Sequence, residues 1–170
     1  IFDKEDVISI GDIAVNWKSR IIWVGTGEVN SSRSSYSGNG VYKSADNGKT
    51  WHYLGLPESQ HIGEIILHPS NDNIAWVAVL GHLFSANKER GVYRTLDGGK
   101  SWKQVLYKDE NTGAIQVTID PQNSNIIYAD MWAGRQGPWE NGAWNGAESG
   151  LFKSVDGGDT WKKLHAGLPN

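Results

Sequence analysis

Three stretches of this sequence gather side chains able to do chemistry. Residues 26–39 carry Glu28, Arg33 and Tyr36, and residues 80–90 carry His82, Lys88, Glu89 and Arg90. Residues 130–149 carry Asp130, Trp132, Arg135, Trp139, Glu140, Trp144 and Glu148. One arginine per stretch (Arg33, Arg90, Arg135) is the composition of a cluster that grips a carboxylate through paired N–H groups. An acid and a base, such as Asp130 with Glu140, could cleave a glycosidic bond if the carboxyls stood about 5–10 Å apart. Trp139 and Trp144, set among Gly and Asn, suit stacking on a sugar face or contact with a peptide. The same indoles can instead fold beneath their own loop, as aromatic residues of long loops often do. His61, His68 and His82 lack metal-ligand spacing, so no metal is expected. A phosphate loop, a nucleophile elbow and a dinucleotide fingerprint are absent, so no cofactor is expected either.

What positions these stretches is a motif that occurs three times. It reads Ser44-Ala45-Asp46-Asn47-Gly48-Lys49-Thr50-Trp51, Thr95-Leu96-Asp97-Gly98-Gly99-Lys100-Ser101-Trp102 and Ser154-Val155-Asp156-Gly157-Gly158-Asp159-Thr160-Trp161. The shared pattern S/T-x-D-x-G-x-T/S-W is that of the Asp-box, or BNR, repeat. Apolar runs before and after each box read as two strands joined by a tight turn. Asp46, Asp97 and Asp156 can accept backbone N–H groups one to three residues on, as in an Asx turn. Gly48, Gly99 and Gly158 supply a positive φ. Trp51, Trp102 and Trp161 are expected to pin each hairpin against its own blade. Calcium is the functional alternative for an acidic, Gly-containing turn, but one or two carboxylates per box fall short of a calcium loop.

The box aspartates stand 51 and 59 residues apart, and each interval holds four short apolar runs. Four strands, a to d, at that period are the blade of a β-propeller. The chain thus reads as one all-β propeller segment over 1–170. A lead-in strand covers 1–9, read as the outer strand of a neighbouring blade, and blades cover 10–57, 62–107 and 113–167. Three blades cannot close a ring that typically needs ~4–8. The open edges call for further blades of a longer chain or for a second copy. Residues 165–170 resemble the Leu54-Gly55-Leu56-Pro57 link, which favours further blades. With strands alternating in direction, the a–b turns and boxes share one rim, and the b–c loops and d–a links share the other. The uneven b–c loops, which are the three stretches above, are where function is expected. The box aspartates lie on the opposite rim, away from any chemistry.

Further runs carry a more specific resemblance: Val24-Gly25-Thr26-Gly27-Glu28, Gly38-Asn39-Gly40-Val41-Tyr42, His61-Ile62-Gly63-Glu64, Gly81-His82-Leu83-Phe84 and Asp109-Glu110-Asn111-Thr112-Gly113. Across nearly its whole length the chain resembles the amino-terminal blades of large microbial proteins labelled BNR-repeat glycosyl hydrolase or sortilin N-terminal-like. The resemblance implies export, to the periplasm, cell surface or medium. It also implies a binding or scaffold segment that recognises peptide or glycan on the b–c loop face. The alternative is part of a glycoside hydrolase of sialidase or xyloglucanase type. The Arg-Ile-Pro motif of sialidases and the catalytic motifs of xyloglucanases have no match here.

Composition agrees with a strand-and-turn protein: 21 Gly and 9 Trp in 170 residues. A net charge of −3 with both signs interspersed gives no electrostatic case for nucleic acid or an anionic membrane. No apolar run is long enough to span a bilayer. Cysteine is absent, which removes thiol chemistry and disulfides. Asn30-Ser31-Ser32 matches a glycosylation sequon, and the opening Ile1-Phe2-Asp3-Lys4 reads as a processed or excerpted chain.

Overall fold

Runs that alternate side chains between two faces become strands wherever both faces can be covered. The computed structural model, which describes residues 2–30, 32, 34–135 and 146–165, contains twelve such strands. The first sheet is β1 (Ile10–Asn16), β2 (Ile21–Thr26), β3 (Val41–Ser44) and β4 (His52–Tyr53). The second is β5 (Ile62–Leu67), β6 (Ala75–Val79), β7 (Gly91–Thr95) and β8 (Lys103–Leu106). The third is β9 (Gly113–Ile119), β10 (Ile127–Trp132), β11 (Gly150–Ser154) and β12 (Lys162–Lys163). Each is a four-stranded antiparallel meander in chain order. Residues 2–9 form no strand; instead Phe2 sets its ring edge-on to Tyr42 and Trp51 at 5.1 and 5.0 Å.

The core lies between sheets. Trp23 and Val41 of the first sheet pack on Ile62, Ile65 and Val77 of the second. Trp76, Ala78 and Val92 of the second pack on Val117, Ile127, Met131 and Phe152 of the third. The second sheet therefore shows one face to the first and the other to the third, which is why β6 and β7 are buried along their whole length. The innermost strands also approach one another closely. A Cβ on Gly11 or Gly63 would stand 2.0 Å from the carbonyl oxygen of Ile62 or Ile115, so a side chain at either site would force the sheets apart.

The three boxes fold alike. Ser44, Thr95 and Ser154 accept the N–H of Gly48, Gly99 and Gly158 at 2.8–2.9 Å and donate to Asp46, Asp97 and Asp156. Each aspartate then takes the N–H and the hydroxyl of Thr50, Ser101 or Thr160, four residues on. The reach is thus longer than an Asx turn, because two successive positive-φ residues (Asn47-Gly48, Gly98-Gly99, Gly157-Gly158) carry the chain back over the carboxylate. Gly98 and Gly157 donate to Asn73 and Asn125 in the a–b turns, which places boxes and a–b turns on one rim. Trp102 does not pin its own hairpin. It donates to the Leu54 carbonyl at 2.8 Å and meets Trp23 edge-on, so it ties the second sheet to the first. Trp161 bonds within its own turn at Gly158 and packs into the second–third core, and Trp51 meets the lead-in.

Candidate functional site

The opposite rim carries the b–c loops and the d–a link. Loop 26–40 is closed at its base by Thr26, whose hydroxyl donates to Gly40 O and accepts the N–H groups of Asn39 and Gly40. Glu28 bridges the loop by accepting the Tyr36 N–H at 3.1 Å, and Tyr36 itself stands 59% exposed. The Glu28 carbonyl meets the Nδ1 of buried His61 at 2.7 Å. Burial lowers the His61 pKa, so the ring is neutral and its Nδ1 donates. His61 thus joins the first loop to the start of β5 and is a structural residue.

Arg90 is the centre of the second loop, and it departs from its predicted role. The side chain is fully buried and its guanidinium donates to the carbonyls of Leu80, His82, Ser85 and Gly134. Burial lowers its pKa to about 10, still charged at neutral pH. The planar fork satisfies loop carbonyls that would otherwise be orphaned. Arg90 therefore cannot grip a ligand carboxylate. Arg135 is exposed and donates to Asn111 Oδ1 at 3.4 Å, while Arg33 lies outside the described residues. The predicted arginine cluster thus loses its central member.

Asp130 and Trp132 are strand residues of β10, not loop residues. Asp130 faces away from the second sheet and lines a recess with Glu64, Gln116, Thr118, Tyr128 and Leu151. Burial raises the pKa of both carboxyls, with the Val117 N–H opposing the shift at Glu64. Trp139, Glu140 and Trp144 lie outside the described residues.

The rim brings residues that the sequence did not flag together with two that it did, His82 and Glu89. A short 3-10 turn, Pro57–Ser59, is flanked by two non-glycine residues with left-handed backbone, Leu56 (φ 61) and Gln60 (φ 48). Such conformations are uncommon outside glycine and Asn, and they concentrate at functional sites. Beside that turn runs a groove of about 290 Å³ lined by Leu56, Pro57, Glu58, Ser59, Glu89 and Tyr93. The Ser59 hydroxyl is buried with no hydrogen-bond partner. Glu58 meets His82 Nε2 at 3.1 Å, and Ser85 Oγ meets His82 Nδ1 at the same distance. Asn87 accepts the His82 N–H and donates to Glu89. Burial, with Glu89 and Tyr107 adding to it, raises the Tyr93 phenol to about 12. Tyr93 is thus a neutral wall. In sequence the Leu54-Gly55-Leu56-Pro57 run reads only as a link, and the left-handed backbone at Leu56 leaves no mark in composition.

Among solved structures, the chain superposes on an ancestral GH74 enzyme with a TM-score of 0.66 at 20% identity, covering 93% of this chain and 18% of that one. The GH74 xyloglucanase from Xanthomonas campestris gives 0.61 at 14% identity, covering 92% and 22%. YCF48 from Cyanidioschyzon merolae gives 0.58 at 15%, covering 94% and 41%. At these identities the likeness establishes the fold alone: three propeller blades, matching part of larger propellers. A curated relative, vacuolar protein sorting/targeting protein 10 from Kluyveromyces lactis, is 36% identical over 84 residues, which are 46% of this chain and 5% of that protein. The chain thus spans a small part of the proteins it matches. The family model described as sortilin, neurotensin receptor 3 (Sortilin-Vps10) matches residues 39–169, and the chain belongs to that family.

Proposed function

We propose that this chain is a binding segment of an exported propeller protein, and that it recognises peptide on the b–c loop rim. The groove beside Pro57 carries this reading. Leu56, Pro57 and Tyr93 offer apolar walls, Glu58 and Glu89 set two carboxylates beside them, and the Ser59 hydroxyl has no partner. Few polar groups among apolar walls is the usual make-up of a ligand site. The groove suits an extended segment with an apolar side chain next to Lys or Arg. The family description names a receptor and the curated relative a sorting and targeting protein, which fits binding better than turnover. Arg90 supports the reading indirectly: by tying the second loop to Gly134 it makes the rim rigid before any ligand arrives, which lowers the entropic cost of binding.

The test is a positional-scanning decapeptide library run beside a glycan array. Peptides pairing an apolar residue with Lys or Arg should be retained, and Glu89→Gln should weaken them about tenfold, the loss of one charge-assisted contact. Retention of glycans alone, or peptide binding indifferent to Glu89→Gln, would overturn the reading.

A further inference from the structure

The two internal blade junctions obey one rule, and the third blade breaks it at one residue. In register, Trp23 pairs with Lys43, Trp76 with Arg94 and Tyr128 with Lys153. At the first junction Lys43 lies 4.8 Å over the Trp23 ring and reaches the Gly98 carbonyl of the next box. At the second, Arg94 and Trp76 both donate to the Gly157 carbonyl, at 2.7 and 3.1 Å. The third blade repeats the device, with Lys153 5.3 Å over Tyr128. That aromatic-cation pair matches the two that hold the glycine carbonyl of the next box at the internal junctions.

Two residues along, the register pairs Gly25 with Val41, Ala78 with Val92 and Asp130 with Leu151. The first two positions are small and apolar because the next sheet lies against them. A Cβ on Gly25 would stand 2.4 Å from Ile62 Cγ2 and 3.1 Å from Ile65 Cδ1. Ala78 is fully buried in the second–third core. Asp130 puts a carboxylate at the same point.

The inner strands differ as well. Asp12 accepts the Ile65 N–H at 2.7 Å and Glu64 the Val117 N–H at 3.0 Å. Those bonds align Ile13 with Ile65 and Val117, and Gln116 with Glu64. A second copy of this chain would therefore bring Ile10 and Ile13, the counterparts of Ile62 and Ile65, against Asp130. Both are exposed in this chain, at 38% and 55%. The two isoleucines offer the Asp130 carboxylate no donor in place of the water they displace, so its burial against them is unfavourable.

We propose that the open face of the third blade is a selective docking surface for an Asp-box blade whose innermost strand sets a cationic side chain against Asp130, and that Asp130 excludes a second copy of this chain. The surface is separate from the rim groove and does not depend on its ligand.

The test is a charge cycle read by light scattering over a concentration series. The wild-type chain should stay monomeric. Ile13→Lys, which gives the first blade a cation opposite Asp130, should self-associate head to tail and at least double the mass. Asp130→Ala, which restores the residue type of Ala78, should also self-associate. The double variant should return to monomer, because its lysine then faces alanine. Circular dichroism and melting of each variant confirm folding, and Ile13→Gln reads the same contact through an amide donor should Ile13→Lys misfold. A wild-type dimer as tight as that of Asp130→Ala would overturn the proposal. So would folded position-13 variants that stay monomeric.

Discussion

The two rims of these blades are built by opposite strategies. On the box rim, three turns of nearly identical sequence satisfy their own polar groups in the same way: hydroxyl to glycine N–H, carboxylate to N–H and hydroxyl. On the loop rim the described parts of the loops differ in length, sequence and in what holds them. Thr26 closes the first, and a buried guanidinium holds the second to the third. Polar chemistry spent on a turn is not free for a ligand. The box aspartates, whose pKa values these bonds lower, are therefore poor candidates for catalysis. The carboxylates of the loop rim, Glu58 and Glu89, border a groove instead.

The sharpest way to break this comparison is to remove the guanidinium that ties the second loop to the third. Arg90→Met should cost roughly 3–5 kcal/mol in urea unfolding, since four carbonyls lose a buried charged donor. Arg135→Met, on the exposed counterpart, should stay within about 0.5 kcal/mol. Similar losses for the two would mean that the loops are equivalent after all.

Next comes the equivalence of the boxes. Thr95→Val removes the hydroxyl that accepts the Gly99 N–H and should cost about 1 kcal/mol. Ser44→Ala and Ser154→Ala should match it closely. A spread of several-fold between them would show that the turns only look alike.

The smallest effect is acid sensitivity. Hydrogen bonds from Thr50, from Ser101 and from Thr160 lower the pKa of Asp46, Asp97 and Asp156, to about 2 at Asp97. Between that value and the unfolded value the folded chain binds fewer protons, so stability rises with pH there. The contribution is whole above about pH 5 and fades as pH falls through the folded values. Glu64 and Asp130, raised by burial, act in the opposite sense, weakening the fold as pH rises through theirs. Asp97→Asn should therefore lower the thermal midpoint at pH 7 and flatten the acid limb. A difference between wild type and variant that stayed constant down to pH 2 would contradict the bonding described here.

The blades and their strands were legible in the sequence, because a turn motif and an alternating strand are local. The box fixes its own backbone within eight residues, and each strand announces its two faces by period. The fate of Arg90 was not legible. One arginine per loop suggested a cluster, and only the folded rim shows four carbonyls around this guanidinium. Trp102 was likewise assigned to its own hairpin, yet its indole N–H finds Leu54 48 residues back. The groove at Pro57 was missed because it is made where a link meets a loop of the next blade.

Sequence alone determined that this is a repeat of Asp-box blades, since each box and strand is specified by neighbours within a few residues. Tertiary structure alone decided which polar side chains are consumed and which remain. That choice depends on partners tens of residues away: Lys43 with the box at Gly98, Arg90 with Gly134, and Asp130 at the point where Gly25 and Ala78 lie beneath a following blade.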